Sequence, residues 1–255
     1  MAGKNLLRAL VPPPARRWLR AQSLHLGRLG RRIRRRGNIG SLRRTSPVSA
    51  AWGWDRGQPI DRYYIENFLA KHAEDVRGRV LEFADDSYAR QFGGPKVTKI
   101  DILDRLPGNE KATVVADLGQ GEQIPSNTFE CIICTQVLQY VYDLRAAVRT
   151  LYRILKPGGV LLLTAPCIQK IDRAGMEQWG EYWRFTDVAL RRLLEEVFPK
   201  DLLNVRSHGN VLPAAASLYG LAREDLLTPD LDYHDPDYPV LIALRAVKPR
   251  SESEA

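Results

Sequence analysis

Three carboxylates stand where an apolar run gives way to turn residues: Glu82 after Val80-Leu81, Asp101 after the run 97–100, and Asp117 after Val114-Val115-Ala116. Nineteen residues separate Glu82 from Asp101, close to the spacing at which a carboxylate following a second strand meets the diol of a ribose. A carboxylate suits that task because it accepts hydrogen bonds from both hydroxyls at once. The turn 82–88, Glu-Phe-Ala-Asp-Asp-Ser-Tyr, holds no glycine. A dinucleotide pyrophosphate needs glycines there so that backbone amides can approach it, so a nicotinamide or flavin dinucleotide enzyme is disfavoured.

Other reactive side chains are few. Cys131 and Cys134 have the CxxC spacing of a metal or redox pair, but they fall inside an apolar strand, where alternation sends them to opposite faces. Both, and Cys167, read as small buried apolar residues. Four histidines could supply an imidazole base, and of these His208 and His234 lie near the ends of expected strands.

The elements that must position these groups follow from periodicity. Runs 79–84, 97–101, 114–116 and 129–135 are too short for helices and are bounded by turn residues, as buried parallel strands are. Leu144, Val148, Leu151, Tyr152 and Leu155 recur at helical spacing behind Asp143, a natural N-cap. Lys156-Pro157-Gly158-Gly159 ends that helix, and an all-apolar strand starts at Val160. Upstream, the aromatic turn 52–59 leads into a helix with Ile60, Tyr64 and Phe68 on one face and Asp61 placed to cap it. Downstream, a helix over 187–198 capped by Thr186 and strands over 203–207 and 240–247 complete the chain.

The acid and loop at 116–128, the stretch FECIICTQVLQYVYDLRAAVRTLYRILKPGGVLLLTAP, and the later YWRFT resemble class I S-adenosylmethionine-dependent methyltransferases of the type-11 methyltransferase-domain group. LYRILKPGG is the most specific part, and the resemblance covers roughly residues 78–190. It implies an α/β fold, a Rossmann-like three-layer sandwich with a mostly parallel seven-stranded sheet and one antiparallel C-terminal strand. It implies S-adenosylmethionine as cofactor, with Glu82 near the methionine ammonium and Ala84 and Asp85 lining the turn. Asp101 and Ile102 would meet the ribose, Asp117 and Leu118 the adenine, and Gln136 and Val137 the region of the transferred methyl. Tyr63 or Tyr64, on the helix before the first strand, and the Trp183-Arg184 step would shape the acceptor pocket, with packing roles as the alternative for each. His208 is the expected base. Ala84 stands where the family carries glycine, which leaves cofactor binding in question.

Length and composition fit one domain with a tail. The net charge of +8 hides an asymmetry: residues 1–50 hold twelve Arg and one Lys with no acid, while the rest carry 25 basic against 30 acidic residues. Expected boundaries are a basic arm over 1–50, the methyltransferase domain over 51–249 and a disordered tail over 250–255. Residues 18–33 of the arm fit a basic amphipathic helix that meets an anionic membrane surface or a protein partner; a solvated arm or a transit peptide fits the same composition. The acidic body argues against nucleic acid. The expected activity is O-methylation of a small-molecule or saccharide hydroxyl, in the cytoplasm or peripheral to a membrane. The alternatives are a degenerate methyltransferase fold acting as a scaffold subunit, and an adaptor working through the arm.

Overall fold

Strand β1 (Gly78–Phe83) is buried at Val80, Leu81 and Glu82, so a carboxylate is carried at the end of a strand with no solvent on either face. The computed structural model describes residues 44–250, which contain six further strands: β2 (Val97–Asp104), β3 (Val114–Val115), β4 (Phe129–Thr135), β5 (Leu155–Pro166), β6 (Leu203–His208) and β7 (Leu241–Val247). They form one sheet in the order β3-β2-β1-β4-β5-β7-β6. Only β7 runs antiparallel to its neighbours, as the resemblance implied. Residues 209–240 separate β6 from β7, so their antiparallel pairing is long-range.

Helices cover both faces. On one lie α1 (Ile60–Lys71) and, later in the chain, α5 (Val211–Leu218) and α6 (Thr228–Asp232); on the other lie α2 (Leu144–Ile154) and α4 (Asp187–Glu195). A further short helix, α3 (Arg173–Trp179), sits above the strand ends. Leu151 and Ile154 of α2 and Leu190 and Leu194 of α4 join Cys134 in one core layer, whereas Ile60, Tyr64 and Ile65 of α1 join Cys131 in the other. The two cysteines do point to opposite faces, both fully buried, and burial raises both thiol pKa values, whereas Cys167, expected to be buried as well, is only partly so. Each fully buried Leu or Ile contributes about 1.5–3 kcal/mol, so the apolar stripes of α2 and α4 hold these helices to the sheet.

Local chemistry explains most element ends. Asp143 Oδ1 accepts from the Ala146 amide at 2.9 Å and starts α2, and Thr186 Oγ1 accepts from Ala189 at 3.1 Å and starts α4. Several boundaries differ from expectation, among them two at element starts. At α1 the N-cap is Pro59, and Asp61 lies inside the first turn without capping it. Strand β5 begins at Leu155, earlier than Val160, because Leu155 pairs with Phe129 across a register shift that accommodates Pro157 and the left-handed Gly158 (φ 74°).

Candidate functional site

The carboxyl ends of β1, β2 and β4 open into a cavity of about 400 Å³. Glu82 forms part of its floor, and its two oxygens accept from the amides of Tyr88 (3.1 Å) and Ala89 (2.7 Å), which holds the turn 83–88 in a loop over the strand tip. Burial pushes this carboxyl up to about 7 against the pull of those two amides. Ala84 follows with φ 67°, a left-handed conformation that costs a residue with a Cβ about 1 kcal/mol. The chain therefore makes the turn a glycine would make, and holds it through Ala84 N to Leu103 O at 3.0 Å and Asn109 Nδ2 to Ala84 O at 2.8 Å.

Asp101 is not at the strand tip. It pairs in register with Leu81 in the body of β2, bound to Arg79 Nε at 2.6 Å and Lys99 Nζ at 3.2 Å. Burial would raise its carboxyl, but those two hydrogen bonds and charges hold it below the ordinary range. Neither Asp101 nor Ile102 lines the cavity. The strand runs three residues further, and Asp104 is the acid that reaches the cavity, with Leu103 and Arg105 beside it. Asp117 lines the next edge, where Oδ1 accepts from Gly119 N at 2.8 Å and Oδ2 meets Arg105 Nε at 2.8 Å. Three carboxylates on adjacent chain crossings thus share one cleft, and they are Glu82, Asp104 and Asp117.

Opposite them the cavity is walled by the segment that leads into and includes the first turn of α1, and by the stretch from the loop after β5 to the end of α3. Trp52, Trp54, Asp61 and Arg62 come from the first; Gln169, Asp172 and Trp179 come from the second. The two are tied together: Lys170 Nζ lies 3.5 Å from the Trp52 ring centre and donates to Ala50 O. Gln136, at φ 56°, and Val137 line the base with Gln139 and Tyr140. Left-handed backbone at Trp52, Ala84 and Gln136, all three on this cavity, is the clustering of strain found where a site must present groups in fixed directions. Burial drives the Asp61 carboxyl up and carries the Tyr140 hydroxyl to about 12. Trp52 Nε1, Gln139 Oε1 and Gln169 Oε1 are buried without a hydrogen-bond partner, an omission costing about 1–3 kcal/mol per atom.

The profile of the family described as Methyltransferase domain matches residues 61–205, more than half of the chain. The chain belongs to this family. The ubiquinone/menaquinone biosynthesis C-methyltransferase UbiE of Enterobacter sp. (strain 638) is 34% identical over 102 residues, covering 34% of this chain and 41% of the relative. UbiE of Escherichia coli O1:K1 is 34% identical over 93 residues, 31% of this chain and 37% of that one. The chain therefore spans less than half the length of these curated relatives. The crystal structure of a putative sarcosine dimethylglycine methyltransferase from Galdieria sulphuraria superposes with a TM-score of 0.50 at 15% identity, covering 75% of this chain and 90% of that one, and shows the fold.

The protein is thus a class I methyltransferase by family and architecture, and S-adenosylmethionine is the cofactor of that family. The cavity suits such a nucleoside: acids at three strand tips and a glycine-like turn at Ala84. Of the residues singled out in the sequence, the methyltransferase fold brings together Glu82, Ala84, Asp85, Asp117, Leu118, Gln136 and Val137. The rest lie elsewhere. Tyr63 donates to Asp232 and Tyr64 to Leu231 O, both towards α6, because the neighbouring Asp61 and Arg62 face the cavity instead. Trp183 donates from Nε1 to Val141 O at 3.0 Å, behind the cavity wall. Arg184 pairs with Glu181 at 2.8 Å and binds Lys170 O at 3.1 Å, so it braces the loop that bears Gln169 without lining the cavity. His208 ends β6 beside the Tyr64 ring, 6.0 Å centre to centre, remote from the lining; burial lowers its pKa to about 4, so it is a neutral packing residue. The three-residue continuation Ile102-Leu103-Asp104 was a visible signal for the missed acid, whereas nothing in the sequence marked Gln139, Gln169 or Asp172. The basic helix expected over 18–33 lies outside the described residues.

Proposed function

We propose that the protein transfers a methyl group from S-adenosylmethionine to the hydroxyl of a small-molecule acceptor. The observation that carries this reading is the convergence of Glu82, Asp104 and Asp117 with the half-buried Asp61 on one cavity. When bound, the cofactor supplies an electrophilic methyl on a sulfonium. Asp104 would take the ribose-diol role first expected of Asp101, Asp117 would accept from the adenine amino group beside Leu118, and Glu82 would face the ammonium end. Trp52, Trp54 and Trp179 exclude water from the acceptor side. Asp61 is the base in place of His208: its raised affinity for a proton makes it a better acceptor of a hydroxyl hydrogen than an ordinary aspartate.

Calorimetric titration with S-adenosylhomocysteine tests the binding half. Asp104→Asn is expected to weaken binding by about tenfold or more and Asp101→Asn to leave it unchanged; the reverse order would overturn the assignment, and no heat with either cofactor form would favour the scaffold reading. A carbon acceptor is the second reading, supported by the similarity to the C-methyltransferases. A donor carrying a 13C-methyl separates them, since the product methyl resonates differently on oxygen and on carbon.

A further inference from the structure

The orphaned atoms of the cavity are not of one kind. An indole N–H only donates and an amide oxygen only accepts, so Trp52 Nε1 on one side and Gln139 Oε1 and Gln169 Oε1 on the other require opposite partners. The fourth such atom among the described residues, Thr164 Oγ1, lies on the β5 rung paired with Thr135, itself a lining residue. Native proteins leave few buried polar atoms unpaired. Here three of the four belong to residues that line one cavity.

Charge narrows the partner. The carboxylates on this side already have cations: the Arg62 guanidinium acts on Asp61, and Lys170 lies within the field of Asp172. Glu181, which accepts from the Asp172 amide at 2.6 Å, is paired with Arg184. An ammonium would satisfy the two amide oxygens and leave the indole N–H bare. A carboxylate would satisfy the indole and face two amide oxygens. Hydroxyls donate and accept through the same atom, and several of them meet all three requirements. Trp52, Trp54, Tyr140 and Trp179 add flat apolar faces of the kind that cover the C–H side of a pyranose ring.

We propose that Trp52, Gln139 and Gln169 form an acceptor subsite for an uncharged, polyhydroxylated ring, a saccharide. The assignment rests on the methyltransferase reading above and narrows its hydroxyl acceptor to one chemical class. Gln139 Nε2 donates to Gln136 Oε1 at 3.1 Å, so the subsite is fixed directly to the strained residue at the tip of β4.

The test is saturation-transfer NMR on the full-length protein loaded with S-adenosylhomocysteine, using methyl β-D-glucopyranoside as probe and ethanolamine and catechol as comparators. The glucoside is expected to receive saturation and the comparators not. Trp52→Phe, which keeps the ring and deletes the N–H, and Gln169→Leu are each expected to weaken glucoside binding about tenfold while the calorimetric affinity for S-adenosylhomocysteine stays unchanged. Gln169→Asn, with its polar group withdrawn by one carbon, gives an independent readout should the leucine variant melt early. Binding of ethanolamine or catechol in preference to the glucoside, no glucoside binding, or glucoside binding indifferent to these variants would overturn the subsite. Failure of S-adenosylhomocysteine to bind would overturn the methyltransferase reading instead.

Discussion

Glu82 is a carboxyl with almost no solvent, and its titration can be read in stability. Its pKa rises from 4.5 in the unfolded chain to about 7 in the fold. Below pH 4.5 both states hold the proton; as the pH climbs towards 7 the unfolded state releases it first, so the native state loses about 3 kcal/mol. The unfolding free energy of the wild type minus that of Glu82→Gln is therefore expected to fall across that window and to level off above it, as measured by urea denaturation at a series of pH values. His208 acts with the opposite sign. Its pKa falls from 6.5 to about 4, so the difference between wild type and His208→Gln should shrink on acidification through that interval, and methyl transfer should survive the substitution. Ala84 supplies a third test at this scale. Glycine relieves its left-handed strain at the expense of a floppier unfolded chain, so Ala84→Gly should change stability by no more than about 1 kcal/mol, while Ala84→Val, with a branch at Cβ in the same conformation, should cost more.

At the level of elements, Arg105 links parts of the site that are far apart in sequence. From the end of β2 its Nε reaches Asp117 and its Nη1 donates to Trp179 O at 2.7 Å, at the last residue of α3. The helix has seven residues, too few to persist in isolation, so this anchor and the edge contact of Trp179 with Tyr140 hold it over the cavity. Arg105→Ala should speed amide exchange in residues 173–179 while strands β4 and β5 keep their protection. An equal gain in protection loss across the sheet would show the arginine to be a general stabiliser. The elements themselves were largely legible. Strand β4 and helices α2 and α4 follow from apolar period and from the caps Asp143 and Thr186. Strand β2 was ended at Asp101, where its apolar run gives way, and its pairing with β1 as far as Leu103 and with β3 at Asp104 carries it on.

For the molecule as a whole, the charge of the chain is divided. The basic residues of 1–43 precede the described residues, among which the Val48 and Ser49 amides both donate to Tyr219 O, at 2.8 and 3.2 Å. A chain shortened to residues 44–255 is expected to keep its melting temperature and its affinity for S-adenosylhomocysteine and to lose salt-sensitive association with vesicles containing phosphatidylglycerol. Shortening to residues 58–255 removes Trp52 and Trp54 from the cavity wall and should weaken acceptor binding as well. Retention of vesicle association by the first of these would place the anionic-surface affinity on the domain.

The sequence alone determined the alternation of strand and helix, the burial of Cys131 and Cys134, the loop at Glu82 and the acid at Asp117, because each is written in local period, turn chemistry or a short motif. It determined the family for the same reason, since LKPGG and its surroundings lie together in the chain. Only the tertiary structure decided which acid of β2 faces the cleft. It also turned Asp61 and Arg62 inwards in place of Tyr63 and Tyr64, and removed His208 from the chemistry. Those choices depend on strand register and on which side of a helix meets the sheet. A single residue of shift reverses them, and contacts between residues 20–170 positions apart fix them.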